Sequence, residues 1–178
     1  MYQDFATVDL LSGGRAEIIV GRGAFTESFA LFGYSLEDYN ALFVDHLDLL
    51  LAANEHERVT WQGRFRPALH DAEITPRALQ PKLPIWIGLA GSPESAARAG
   101  SMGLPMIVGL IGGLPSDVAP GFRAYRAAAQ AAGHDPAACA GPGRRATCTS
   151  RRRRKARGRP STSATPTTSP TSRAAGSA

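Results

Sequence analysis

Residues 84–100 read PIWIGLAGSPESAARAG, and this stretch decides how the chain folds. Its first part, Pro84–Ala90, is an apolar run of the kind that forms a buried strand. A helix then opens at Ser92-Pro93, because serine is a favoured N-cap and proline at the first helical position loses no hydrogen bond. The stretch therefore predicts a buried strand that turns directly into a helix.

The turn between this strand and this helix could bind an anion. The free N–H groups of a first helical turn, with the helix dipole behind them, attract negative charge. Gly91 would let a ligand approach the backbone, and the hydroxyls of Ser92 and Ser95 could donate to a phosphate. Most capped helices bind nothing, so these residues alone favour an ordinary capped helix.

The same alternation of strand and helix runs along the chain. Apolar runs predict further buried strands at Ala16–Gly21 and Pro105–Gly113. Helical patterns predict one helix that stops at Ser12-Gly13-Gly14, an amphipathic helix capped by Ser35, a short helix from Ser92 and a helix ended by Gly133. The sequence VTWQGRFR predicts a small exposed hairpin strand. Buried strands alternating with helices indicate a parallel sheet, either doubly wound or part of a (β/α)8 barrel.

An arginine follows directly on the first of these strands. Arg22 lies between Gly21 and Gly23, at the strand end where ligands bind in barrels and open sheets. Its guanidinium is well shaped for phosphate. A solvent-facing or salt-bridged arginine in a turn explains the pattern about equally well.

The positive charge of the chain is confined to its C-terminal end. The chain has 20 Lys and Arg against 15 Asp and Glu, but 10 of the basic residues and none of the acidic ones lie from Arg144 onward. The body is therefore mildly acidic, and the overall charge is no argument for nucleic-acid binding.

Several other functional classes find no support in the sequence. Cys139 and Cys148 are too few for a disulfide framework or a metal site. There is no P-loop, no glycine-rich dinucleotide motif after a strand and no metal-ligand spacing. The longest apolar run is too short to span a bilayer, and the N-terminus does not resemble a signal peptide. We therefore expect a cytoplasmic protein with no membrane partner.

Taken together and in this order, four stretches resemble the bacterial luciferase-like flavin monooxygenases. They are FATVDLLSGGRAEIIVGRGAFTESFALFG, LEDYNALFVDHLDLLL, VTWQGRFR and LQPKLPIWIGLAGSPESAARAGSMGLPMIVGLIGG. The resemblance runs from about Tyr2 to about Ala137. It is nearest to an FMN-dependent branch whose members read GRGSFTESF where this chain has GRGAFTESF.

The resemblance implies a fold and a set of binding residues. The family fold is a (β/α)8 barrel with flavin at the carboxyl ends of the strands, so we expect a partial luciferase-like barrel over residues 1–143. Some relatives carry a second phosphate arginine where this chain has Asn40. The residues expected to hold the flavin phosphate are Gly21, Arg22, Ala90, Gly91, Ser92 and Ser95.

The resemblance also implies an activity. Reduced FMN and molecular oxygen would act on a small organic substrate, and the protein would bind, orient and exclude water. A flavin reductase is a possible partner, and the family is often homo-oligomeric. A deazaflavin-using branch performs hydride transfer instead. Since a complete barrel needs roughly 250 residues, the first strands and the catalytic residues are expected to precede Met1, and an inactive fragment is a further alternative.

Residues 144–178 form a separate basic segment rich in Arg, Ser, Thr and Pro. After Gly143 the chain has no Val, Ile, Leu, Met, Phe, Tyr or Trp, so this tail is predicted to be disordered. Reading the gene one base out of register would let Thr147–Ser150 encode a strand such as HLYV. We therefore hypothesise a frameshift between about His134 and Ala146, which a gene sequence without a single-base slip would contradict. An arginine arm that binds nucleic acid is the weaker alternative.

Overall fold

The computed structural model describes residues 1–23, 25–110, 113–137 and the backbone of 148–150. The elements follow in this order: α1 (Tyr2–Ser12), β1 (Ile18–Val20), α2 (Glu27–Leu31), α3 (Tyr39–Glu55), β2 (Arg58–Trp61), β3 (Leu69–Glu73), β4 (Ile85–Leu89), α4 (Pro93–Ser101), β5 (Met106–Leu110), α5 (Ala119–Ala131) and β6 (Cys148–Ser150). Short 3-10 turns at Leu36–Asp38 and Pro115–Val118 lead into α3 and α5. None of the helices in these ranges is long and apolar enough to cross a membrane.

Four strands form one parallel sheet in the order β1-β4-β5-β6. Ile18 pairs with Ile85, and Ile87 pairs with Met106. The strands β2 and β3 form a separate antiparallel hairpin. Parallel strands joined by helices confirm the predicted α/β architecture. Because all four strands run in one direction, the loops that follow β1 and β4 lie at the same edge of the sheet.

The core lies between one face of this sheet and the helices. Alternate strand residues point to that face, which is why burial alternates along β1 and β5, whereas in β4 Trp86 is buried as well. The strand residues of the core are Ile18, Val20, Ile85, Ile87, Met106, Val108 and Leu110. Ile19 points to the opposite face and is 57% exposed. The sheet is thus covered by helices on one side within the described residues, as in the wall of a barrel.

A buried carboxylate joins α1 to the sheet. The Asp9 side chain is fully buried. Its Oδ1 accepts hydrogen bonds from the Ala16 N–H at 3.0 Å and the Gln80 side-chain amide at 2.7 Å, and its Oδ2 accepts from the Gln80 N–H at 2.9 Å. Since Ala16 precedes β1 and Gln80 precedes β4, one side chain fixes the approach of two neighbouring strands.

Helices α4 and α5 pack closely through small residues. Gly100 on α4 faces the backbone of Tyr125 on α5, and Ala129 is fully buried beside them. The Tyr125 hydroxyl donates to the Leu104 carbonyl at 3.1 Å. The absence of a side chain at Gly100 is what allows the two backbones to approach, and this packing holds α4 in place at the end of β4.

The structure differs from the sequence predictions at four places. The helix α2 and the strand β3 were not predicted. Ser35 does act as a cap, but its hydroxyl accepts from Glu37 N–H in the 3-10 turn that precedes α3. The strand β6 lies in the segment predicted to be disordered, and its backbone pairs with β5, because a sheet edge pairs with any extended chain. The remainder of that segment lies outside the described residues.

Candidate anion-binding site

The site lies where β1 and β4 end side by side. These strands are direct neighbours, and a Cβ on Gly21 would lie only 3.5 Å from the Gly88 carbonyl oxygen. The loop after β1 therefore meets the loop after β4. Such a junction at the carboxyl ends of parallel strands is where ligands bind in this class of fold.

Arg22 extends from the first loop to the helix that follows the second. Its Nη2 donates to the Ser95 Oγ at 2.7 Å, and its Nη1 donates to the Asn40 Oδ1 at 2.6 Å. The guanidinium also lies over the Tyr39 ring, 4.9 Å from the ring centre. The Tyr39 hydroxyl donates to the Gly23 carbonyl at 3.1 Å and so anchors the same loop. These contacts hold the half-buried guanidinium in one orientation, with donor positions to spare.

The N-terminus of α4 supplies backbone donors beside this guanidinium. Ser92 is the N-cap and its hydroxyl accepts from the Ser95 N–H at 3.4 Å, while Pro93 occupies the first turn and has no N–H. The predicted N-cap at Ser92 and the predicted proline at the start of the helix are both confirmed. Gly91 has φ +105°, a conformation that disfavours residues with a Cβ. The Glu94 N–H, in the first turn, has no carbonyl one turn earlier to bond, so it remains available to a ligand.

A narrow cleft between α3, α4 and β4 opens beside these groups. Its polar lining consists of Arg22, Ser95 and Arg98, and its apolar lining includes Phe43 and Met102. Among the described residues that line it, none is acidic. Two guanidinium groups and a hydroxyl around a partly apolar cleft suit an anionic ligand.

A second, more open cleft on the other side of α3 has the opposite character. Asp45, Asp48 and Arg64 line it. Burial, with the negative charge of Asp45 adding to it, raises the pKa of the Asp48 carboxyl. Arg64 is paired there with Asp38 at 2.9 Å. Its carboxylates make this cleft unsuitable for an anion. Within the described ranges, no three His, Cys, Asp or Glu side chains are arranged to hold a metal ion.

The structure brings the residues singled out in the sequence to one place. Arg22 contacts Ser95 directly, and Ser92 contacts the Ser95 backbone. Gly21, Ala90 and Gly91 form the two adjoining loops and make no side-chain contribution of their own.

Two neighbours of the site were missed as site residues. The role of Tyr39 beneath the guanidinium could not be inferred, because its place on α3 is equally that of a packing residue. Arg98 could have been found, because it lies three residues after Ser95 and therefore on the same face of α4.

Comparison with known proteins identifies the class and then the family. A parallel α/β sheet with candidate anion-binding residues at its strand ends is typical of phosphate-binding barrels. The family model described as luciferase-like monooxygenase matches residues 1–166. The chain therefore belongs to the luciferase-like monooxygenase family. An uncharacterized protein of Sinorhizobium fredii, y4vJ, is 37% identical over 93 residues, which are 52% of this chain and 26% of that relative.

Solved structures agree with this assignment. Monooxygenase RslO1 from Streptomyces bottropensis superposes with a TM-score of 0.67 at 27% identity, over 76% of this chain and 41% of that one. An F420-dependent secondary alcohol dehydrogenase superposes with a TM-score of 0.64 at 23% identity, over 76% of this chain and 41% of that one. The oxygenating constituent of 3,6-diketocamphane monooxygenase from Pseudomonas putida was solved with FMN. It superposes with a TM-score of 0.61 at 17% identity, over 76% of this chain and 40% of that one. The predicted partial luciferase-like barrel is confirmed, and the chain spans about 41% of the first of these proteins.

Proposed function

We propose that the cleft beside Arg22 binds the phosphate of FMN, and that this chain forms part of an FMN-dependent monooxygenase acting on a small organic substrate. The observation that carries the proposal is the hydrogen bond between Arg22 and Ser95, which joins the loop after β1 to the N-terminus of α4. A guanidinium, a hydroxyl and the free backbone N–H of Glu94 at one point are donors of the kind that bind phosphate.

The residues suit such a group in charge and in hydrogen-bonding capacity. The described lining of the cleft carries positive charge only. Because the Ser95 oxygen accepts from Arg22, its own proton is free to be donated to a phosphate oxygen. At Gly91 a side chain would be strained by the positive φ, so the backbone there stays open to a ligand.

In this proposal the protein positions the cofactor. Arg22 and the first turn of α4 hold the phosphate, and Tyr39 and Asn40 keep Arg22 in place. When bound, reduced FMN supplies the reaction with molecular oxygen. Holding the phosphate fixes the far end of the cofactor, and this fixes the ring relative to the substrate.

A second candidate is F420-dependent hydride transfer, which one of the structural neighbours favours. That neighbour is an F420-dependent alcohol dehydrogenase with a TM-score of 0.64. F420 also carries a phosphate on the chain attached to its ring, so the same cleft could hold it. Measured affinities for the two cofactors separate the candidates.

The experiment is a binding titration of FMN and of riboflavin, which lacks the phosphate, followed by flavin fluorescence. We expect FMN to bind more tightly than riboflavin. Ser95→Ala should weaken FMN binding about tenfold, since a hydrogen bond to a charged group contributes roughly 1.5–3 kcal/mol, and should leave riboflavin unchanged. Ser101→Ala, at the exposed end of the same helix, is the matched control.

Three outcomes would contradict the proposal. Equal affinity of the native chain for FMN and riboflavin would show that the phosphate is not recognised. Absence of binding by a folded chain would support the alternative of an inactive barrel fragment. Tighter binding of F420 than of FMN would favour hydride transfer over oxygenation.

A further inference from the structure

The parallel sheet has an unpaired strand at each edge. Within the described residues β1 pairs only with β4 and β6 pairs only with β5, so the outer side of each end strand has no neighbour. The Ile18 N–H donates to the Pro84 carbonyl, on the β4 side, at 2.8 Å. Since successive residues of a strand turn their backbone groups to opposite sides, the N–H and C=O of Ile19 point outward from the edge of β1.

The face of the sheet that the helices do not cover is largely apolar. Ile19 lies on this face and is 57% exposed. It lies over Gly88, where a Cβ would be only 3.1 Å from the Ile19 Cγ2. Trp86 is in register with Ile19 and shares the face, and its indole N–H donates to the Glu17 carboxylate at 2.9 Å. An apolar face beside an unpaired strand edge is a surface that a further chain can cover.

We propose that two copies of this chain join edge to edge and close one eight-stranded parallel barrel. The described sheet has four strands that all run in one direction. Eight strands are the number at which a parallel sheet closes around an interior filled by side chains. A twofold axis along the barrel would place β1 of each copy beside β6 of the other, so every strand stays parallel and both edges become paired. Ile19 would then lie in the barrel interior.

The match to other members of the family favours a second copy as the occupant of this face. The chain superposes on 41% of monooxygenase RslO1, and a second copy would supply a further four strands of the same direction. The loops that follow the strands of both copies would lie at one rim of the barrel. The second copy would therefore form the wall opposite the loops after β1 and β4. The inference concerns assembly and does not depend on which cofactor the cleft binds.

The test is sedimentation equilibrium of the full chain at micromolar concentration, where we expect a dimer of about 38 kDa from a chain of 18.8 kDa. Ile19→Lys should raise the dissociation constant of the dimer about 100-fold or more, because each copy would bury an unpaired ammonium in the barrel interior. Ile19→Leu keeps an apolar side chain and should remain a dimer. Leu11→Lys on α1, where the native side chain is 84% exposed, is the matched control and should change the constant less than about twofold.

Hydrogen exchange of the native chain gives a reading that needs no variant. As the protein concentration rises through the dissociation constant, the outward-facing amides of β1 and β6 should exchange about tenfold more slowly, and both should change together because closure pairs both edges. The amides of α1 should exchange at an unchanged rate. If Ile19→Lys does not fold, this measurement decides alone.

The inference is overturned by a native chain that stays monomeric over this concentration range. A dimer that survives Ile19→Lys, or one that Leu11→Lys dissociates, uses another surface and overturns it as well. Slower exchange at only one of the two edges is incompatible with a closed barrel. A monomer that binds FMN more tightly than riboflavin would overturn this inference and leave the proposed function intact.

Discussion

Asp9→Asn is expected to lower the free energy of unfolding by about 2–4 kcal/mol, because it places an amide against buried N–H donors. The native carboxylate accepts three hydrogen bonds with its two oxygens, from Ala16 and Gln80. Asparagine keeps one accepting oxygen, and its amide group must face a donor. Urea unfolding of the two proteins followed by circular dichroism measures the difference.

The same carboxylate makes stability depend on pH in a defined direction. Burial acts to raise the Asp9 pKa, but the hydrogen bonds from Gln80 and Ala16 outweigh it, and the pKa lies below its usual value of 3.8. Because the folded pKa is lowered, the stabilisation is complete above pH 4 or so and is lost as the pH falls through the folded pKa. The difference between native and Asp9→Asn proteins should therefore shrink below about pH 4.

Asp4→Asn is the matched control, since Asp4 lies on the same helix with its side chain 82% exposed. Its effect should stay within about 0.5 kcal/mol, as for other exposed ion pairs. Equal losses for Asp4→Asn and Asp9→Asn would mean that the buried network does not join α1 to the sheet.

Gly100→Ala is expected to destabilise the protein by about 1–3 kcal/mol, although alanine is the better helix former by about 1 kcal/mol. A Cβ at this position would overlap the Tyr125 carbonyl oxygen and lie 3.1 Å from the Ala129 nitrogen. Both atoms belong to the α5 backbone and cannot rotate away, so the helices must separate. A lower melting temperature for Gly100→Ala would show that the packing clash outweighs helix propensity, and a higher one would show the reverse.

Gly121→Ala on α5 provides the comparison. A Cβ there would lie 3.4 Å from the Gly91 oxygen and 3.7 Å from the Ala96 Cβ, which are ordinary contacts. Propensity should dominate, and the variant should be as stable as the native protein or more so, by up to about 1 kcal/mol. A stabilising effect of Gly100→Ala would show that the α4–α5 contact tolerates a wider spacing than the structure gives.

The parallel sheet could be predicted because its strands carry a local signal. Ile85, Ile87, Met106 and Val108 belong to short apolar runs bounded by glycine and proline, and such runs form buried strands wherever helices cover them. The capped turn at Ser92 could be predicted for the same reason, because its serine and proline are adjacent in the sequence. What the sequence pattern left open, a doubly wound sheet or a barrel, is settled by the family match and the structural neighbours.

The contacts that hold the site together could not be predicted from local pattern. Asp9 and Gln80 are 71 residues apart, and Arg22 and Ser95 are 73 apart. Local pattern gives no sign of either pairing, and only the neighbouring order of β1 and β4 brings the partners together. β3 was missed for a related reason, since its residues, LHDAE, are mostly polar and pair with β2 by backbone register.

The strand β6 falls where the reading-frame hypothesis expects the shifted sequence to encode a strand. Many different sequences could pair with the edge of β5 through their backbone, so this pairing does not test the reading-frame hypothesis. The sequence of the gene between the codons for His134 and Ala146 tests it directly.

The most direct test of the account is the effect of Arg22→Met on FMN binding compared with its effect on riboflavin binding. If Arg22 holds the phosphate, the substitution should weaken FMN binding about 10–100-fold, since it removes charge-assisted hydrogen bonds of roughly 1.5–3 kcal/mol, and leave riboflavin binding unchanged. Arg123→Met, at an exposed position of α5, should change neither affinity. Equal losses for both flavins, or no loss for either, would contradict a phosphate site at the ends of β1 and β4.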